Sequence, residues 1–141
     1  MKKLIQTLAL FAVIGIGTAS AQNAMFVKGP TVTDQGTTLK VCGKLAGLGN
    51  NQLVVVSVSG SQTITTTCTN QGGNTAPGLT KTENFQASGQ FMSGQNGQVT
   101  FCLTTNEPTP GQCPNGNFTA TVTDATFSNV VIKVNGQVVP Q

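Results

Sequence analysis

Four cysteines, Cys42, Cys68, Cys102 and Cys113, are the residues whose type and spacing constrain the chemistry of this chain most. Zinc sites pair cysteines roughly two to four residues apart. Here 25, 33 and 10 residues separate successive cysteines, and no His completes a ligand set. A thiolate nucleophile needs a neighbouring base, and without His the usual one is missing. Two disulfides are therefore expected, and with them an oxidising compartment.

Carboxylates are the other candidates for chemistry. Once the leader described below is set aside, only Asp34, Glu83, Glu107 and Asp124 are available. Paired carboxylates hydrolyse glycosides, but no pair lies in a recognisable context, so solvated surface groups are expected. No segment has the alternating ligands of an EF-hand. Ser88-Gly89 and Ser93-Gly94 are fragments of a nucleophile elbow and read as turn residues. Asn117-Phe118-Thr119 satisfies the N-glycosylation pattern and reads as the start of a strand. No catalytic, cofactor-binding or metal-binding residue is assigned, and no cofactor is expected.

Composition points the same way. The chain of 141 residues has no His, Trp or Tyr, and all seven of its basic residues are lysines. General acid/base work, charge clamps and aromatic platforms need groups this sequence barely owns. Lys2 and Lys3, the uncharged stretch Leu4 to Gly17 and the small-residue site Ala19-Ser20-Ala21 form a cleavable signal peptide over residues 1–21. Its 14-residue apolar stretch falls short of the roughly 20 residues a membrane span needs. Residues 22–141 are then a single domain, with five lysines scattered singly against four carboxylates. Nucleic acid and charged membrane surfaces need clustered cations. Neither is an expected partner, and no membrane insertion is expected after cleavage.

The elements that must position these residues are strands. Runs rich in Val, Ile, Thr and Phe alternate with Gly, Asn and Pro, without a helical period after the leader. Expected strands cover 24–27, 37–45, 53–58, 64–69, 81–87, 98–104, 118–123, 127–134 and 137–139. Leu53 to Val58 reads as buried on both faces, Gly60-Ser61 as a tight turn, and the Asn96-Gly97 and Asn135-Gly136 steps as hairpin turns. The fold class is all-β: a two-sheet Greek-key, immunoglobulin-like sandwich of about 7–9 strands. A closed barrel is the alternative. The six phenylalanines of residues 22–141 read as core, with Phe91 the one expected to be exposed. The segments 22–32 and 135–141 read as loose appendages, set to close an edge in their own chain or add to a neighbour's.

Strand phase places Cys102 opposite the face of Val99, Phe101 and Leu103, and Cys42 on the face of Lys40 and Lys44. The expected bonds are Cys102–Cys113, clipping a Pro-rich loop, and Cys42–Cys68; the other two connectivities stay open.

The stretches Cys68-Thr69-Asn70-Gln71-Gly72-Gly73-Asn74 to Pro77-Gly78, Asn96-Gly97, and Cys113-Pro114-Asn115-Gly116-Asn117-Phe118-Thr119-Ala120 resemble small exported bacterial proteins without an assigned function. Many of those have Trp where Phe118 stands. The resemblance spans about half of residues 22–141. It implies an extracellular β-fold and carries over no catalytic residue. The expected function is an exported, non-catalytic structural or interaction module that binds a protein or glycan surface or copies of itself. A small carbohydrate-binding module, using loops 70–78 and 106–117, is the alternative.

Overall fold

The computed structural model describes residues 24–141, so the expected signal peptide and its cleavage site lie outside the described residues. Eight antiparallel strands follow: β1 (Met25–Asp34), β2 (Leu39–Ala46), β3 (Leu53–Asn70), β4 (Thr75–Pro77), β5 (Lys81–Met92), β6 (Val99–Thr104), β7 (Phe118–Val134) and β8 (Gln137–Val138). Among the described residues there is no helix. Sheet A has the order β1-β2-β6; sheet B has β3 at its centre, β7 and then β8 on one side, and β5 and β4 successively along the other. Strands β1, β2 and β6 stand where the first, second and fifth strands of an immunoglobulin-type sandwich stand. Strands β3, β7 and β8 take the places of its third, sixth and seventh. The expected sandwich is the observed fold.

Alternation builds the core. In β2, Leu39, Val41 and Leu45 turn inward; in β3, Val54, Val56 and Val58; in β6, Val99 and Phe101. Ile132 and Val134 of β7 complete one contiguous cluster between the sheets. The first half of β3 thus has one buried face and one open face, with Leu53 and Val55 exposed, rather than two buried faces. Over the described residues neither terminal segment is loose. β1 continues past Gly29-Pro30 and pairs with β2 as far as Asp34↔Leu39, and Val139 is buried beyond β8.

Two expected turns and two pairs of expected strands resolve differently. Gly60-Ser61 makes no turn, and β3 runs through it for 18 residues. The partner strand β7 absorbs an irregularity there: the register slips between Ser59↔Val131 and Ser61↔Ser128, with Asn129 at φ 56°. A Cβ on Gly60 would lie 2.7 Å from Ser128 O and 2.9 Å from the Phe85 ring. Gly60→Ala is expected to cost about 2 kcal/mol through that overlap, read as the loss of unfolding free energy in urea. Likewise β7 is one strand of 17 residues through Asp124-Ala125. Of the two Asn-Gly steps, Asn135-Gly136 closes the β7–β8 hairpin with both residues at positive φ, as a type I′ turn requires. At Asn96-Gly97 only Gly97 has positive φ, and the segment carries the chain from sheet B to sheet A, since β5 pairs with β3 and β6 with β2.

Sheet B is longer than sheet A, and the Pro-rich segment 105–113 covers the difference. Thr105 N donates to Leu39 O, and Thr105 Oγ1 accepts from Leu39 N, both at 2.9 Å. Farther on, Gly111 N donates to Thr66 Oγ1 at 2.7 Å and Gln112 O accepts from Leu79 N at 2.9 Å. This strap lies over the far half of β3, where Ile64, Thr66 and Cys68 are buried with Ala125 of β7.

The disulfides are Cys42–Cys102 and Cys68–Cys113, which corrects the expected pairing of Cys42 with Cys68 and Cys102 with Cys113. Cys42 and Cys102 sit directly opposite one another on β2 and β6, with Cα atoms 4.1 Å apart. That is the separation of a close antiparallel pair. Cys68 lies on the inner face, fully buried, beneath the strap that ends at Cys113. A Cys on the outer face of β2 therefore has no route to one on the inner face of β3.

Candidate functional site

Three of the four carboxylates have hydrogen-bond partners within the chain. Asp34 Oδ1 accepts from Gly36 N, and Glu107 Oε1 accepts from Thr37 Oγ1, each at 2.8 Å. Glu83 faces Lys81 at 3.4 Å and accepts from Gln62 Nε2 at 3.1 Å. Gln62 is buried, and its Oε1 has no protein donor. Asp124 stands exposed on β7. Among the described residues no three His, Cys, Asp or Glu side chains gather as a metal site would need, and no cysteine is free. Phe91, expected to be exposed, is half-buried with its ring centroid 6.2 Å from that of Phe101.

What the strands do assemble is the outer face of sheet B. On β3 the outward positions from Ser57 to Thr69 are Ser57, Ser59, Ser61, Thr63, Thr65, Thr67 and Thr69. β5 presents Thr82, Asn84, Gln86, Ser88 and Gln90, all exposed. β7 adds Thr119, Thr121, Thr123 and Thr126. The register lines these up in ranks across the sheet. Thr82, Thr63 and Thr126 form one rank, Asn84, Ser61 and Ser128 another, and Thr75, Thr69 and Thr119 a third. The hydroxyls are partly linked: Thr63 Oγ1 and Thr82 Oγ1 are 3.1 Å apart, and Thr67 Oγ1 lies 3.4 Å from Thr123 Oγ1. No aromatic ring stands in these ranks; their charges are Asp124, opposite Thr65, and Lys133, opposite Ser57, and Val131 stands opposite Ser59.

Two shallow depressions mark this face. One of about 470 Å³ lies between β3 and β5, lined by Ser59, Ser61, Asn84 and Gln86. A second of about 450 Å³ lies at the far end, where Thr69, Asn70, Asn117, the half-buried Phe118 and Thr119 meet. Eight strand residues separate Ser61 from Thr69, or about 26 Å at roughly 3.3 Å per residue. Loops 70–78 and 106–117, expected as the sugar-contacting elements, do meet at that end. Within them Asn70 Oδ1 accepts from Gly72 N and Asn74 N, and Gly111 N of the strap donates to Thr66 Oγ1 of sheet B. A third groove, about 390 Å³, lies on sheet A beside the Cys42–Cys102 bond, between Lys28, Lys44 and Thr100.

The signal for the hydroxyl face was present as Thr at every second position from 63 to 69 and again from 119 to 123. Reading Gly60 as a turn separated Ser57 and Ser59 from the rest of that ladder. No protein-family model matches the chain, and no curated protein or solved structure matches it either.

Proposed function

We propose that the protein is an exported, non-catalytic interaction domain that lays the outer face of sheet B along a neutral, hydroxyl-bearing polymer, a matrix or cell-surface polysaccharide. The two disulfides fit an oxidising, extracellular setting. The observation that carries the reading is the ranked Ser/Thr/Asn/Gln face with depressions at its middle and its end. Hydroxyls both donate and accept, and amides offer two donors and an acceptor, so such a face, whose Asp124 and Lys133 balance in charge, matches a neutral partner of the same kind. Ranks that hold no aromatic platform make weak individual contacts, and an extended ligand spanning both depressions compensates by number.

Retention on insoluble neutral polysaccharides tests this. Binding is expected to persist at about 1 M salt, where the Debye length is about 3 Å. The double variant Asn84→Ala/Gln86→Ala is expected to lose about tenfold in affinity, the worth of two modest hydrogen bonds. Retention only on anionic polymers, abolished by salt, would overturn the reading.

A further inference from the structure

Natural sheets blunt their free edges with proline, bulges, charge or brevity. Five of the free edges of this sandwich do so: β7, open beyond the two residues paired with β8, has two register shifts against β3, Asn129 at positive φ and an exposed Asp124. β1 carries Pro30 and register shifts around it, β6 has six residues, β8 has two, and β4 has three and ends in Pro77. β5 does not. It runs 12 residues from Lys81 to Met92 without proline, and its ladder to β3 has no register shift. Its charges, Lys81 and Glu83, sit at one end and pair with each other at 3.4 Å, leaving Asn84 to Met92 neutral. No loop backbone group hydrogen-bonds to this strand's free side among the described residues.

We propose that β5 pairs antiparallel with β5 of a second copy, joining two copies of sheet B into one continuous sheet. The sequence of β5 is self-complementary for this. A two-fold axis at Gln86 sets Gln86 opposite the partner's Gln86, Asn84 opposite the partner's Ser88, and Thr82 opposite the partner's Gln90, all on the outer face. On the inner face Phe85 meets the partner's Ala87, and Glu83 meets the partner's Gly89. Outward residues face outward residues, whereas a slip by one would set inner against outer. No like charges are opposed in this register, so nothing in it repels. Ala87 and Phe91, half-buried in the single chain, gain cover. The unpaired N–H and C=O groups of β5 gain partners, as in other strand additions. The joined sheet carries the strand order β8-β7-β3-β5 and its two-fold repeat, so the neutral outer face doubles in width.

Sedimentation of the disulfide-intact protein from about 1 to about 300 μM, a range that brackets micromolar dimers, reads the association directly. Wild type is expected to pass from monomer to dimer over that range. Gln86→Lys and Gln86→Glu, exposed positions that leave the melting temperature unchanged, are each expected to raise the dimer dissociation constant about fivefold by opposing like charges. An equimolar mixture of the two is expected to restore association as a one-to-one heterodimer. A wild type that stays monomeric throughout overturns the proposal. So does a dimer indifferent to both substitutions, or a mixture that associates no better than either variant alone.

Discussion

Replacing Cys68 and Cys113 together by Ser is expected to cost about 4 kcal/mol of stability, and replacing Cys42 and Cys102 together a similar amount. The bonds close loops of sequence separation 45 and 60, and chain-entropy arithmetic gives about 4 kcal/mol for loops of that size. A domain of 118 described residues has a total stability on the order of 6–18 kcal/mol, so either loss is a large share. The two bonds differ in what else holds their ends. Cys42 and Cys102 lie in strands that are already hydrogen-bonded from Lys40↔Thr104 to Leu45↔Val99. Cys113 ends a strap that belongs to neither sheet, and the strap covers Ile64, Thr66 and Ala125. Loss of Cys68–Cys113 therefore exposes apolar surface as well as freeing the chain, and it is expected to be the costlier of the two. Thermal unfolding of the two paired variants checks this: melting is expected to fall by about 15 °C in each, and further for the strap bond. A fall of only a few degrees in either variant contradicts the loop arithmetic. Peptide mapping without reduction that joins Cys42 to Cys68 contradicts the pairing itself.

How much of this was readable in the sequence follows from what kind of information each feature needs. Alternation is local, so the inward sets Leu39-Val41-Leu45 and Val99-Phe101 and the two-sheet architecture were legible. The hairpin at Asn135-Gly136 was legible for the same reason, because the turn chemistry is carried by its own two residues. Gly60 was not. A glycine inside a strand and a glycine in a turn look alike until the partner strand is known, and the reason for Gly60 lies in the carbonyls of Ser128 and Asn129, nearly 70 residues away. Strand phase had already put Cys42 and Cys102 off the inner faces of their strands, which favours bonding them to each other once β2 and β6 are neighbours. Nothing local says that they are neighbours. Proximity in sequence suggested Cys102–Cys113 instead, but the strap leads away from β6 toward β3 and delivers Cys113 to Cys68. The binding face was legible as composition and illegible as a site. The ranks Thr82-Thr63-Thr126 and Thr75-Thr69-Thr119 exist only through register.

Phe101→Ala is expected to destabilise the domain by about 4 kcal/mol, within the range for emptying a large aromatic site in a core. Phe101 is almost fully buried on β6, and its ring joins three elements. Phe26 of β1 lies 6.4 Å from it and Phe91 of β5 6.2 Å, centroid to centroid. Sheet A and sheet B are thus bridged by this ring at the side where β5 and β6 approach without hydrogen bonds between them. The site cannot collapse easily, because its walls are paired backbone on both sheets, so most of the vacated volume remains as a cavity. Gly43 of β2 provides an internal check. A Cβ there would come within 3.1 Å of the Phe26 ring and 3.3 Å of the Phe101 ring, so the glycine leaves room for both aromatics. Gly43→Ala alone is expected to cost about 1–2 kcal/mol by overpacking. In the Phe101→Ala background the same methyl points toward empty space, and its cost is expected to shrink by about 1 kcal/mol or more. A double-mutant cycle in urea measures that coupling. Strict additivity of the two substitutions would show that Gly43 and Phe101 do not share the packing space assigned to them. A Phe101→Ala loss below about 1.5 kcal/mol would mean that Phe26 and Phe91 close over the gap, and that β5 is held against β6 by something other than this ring.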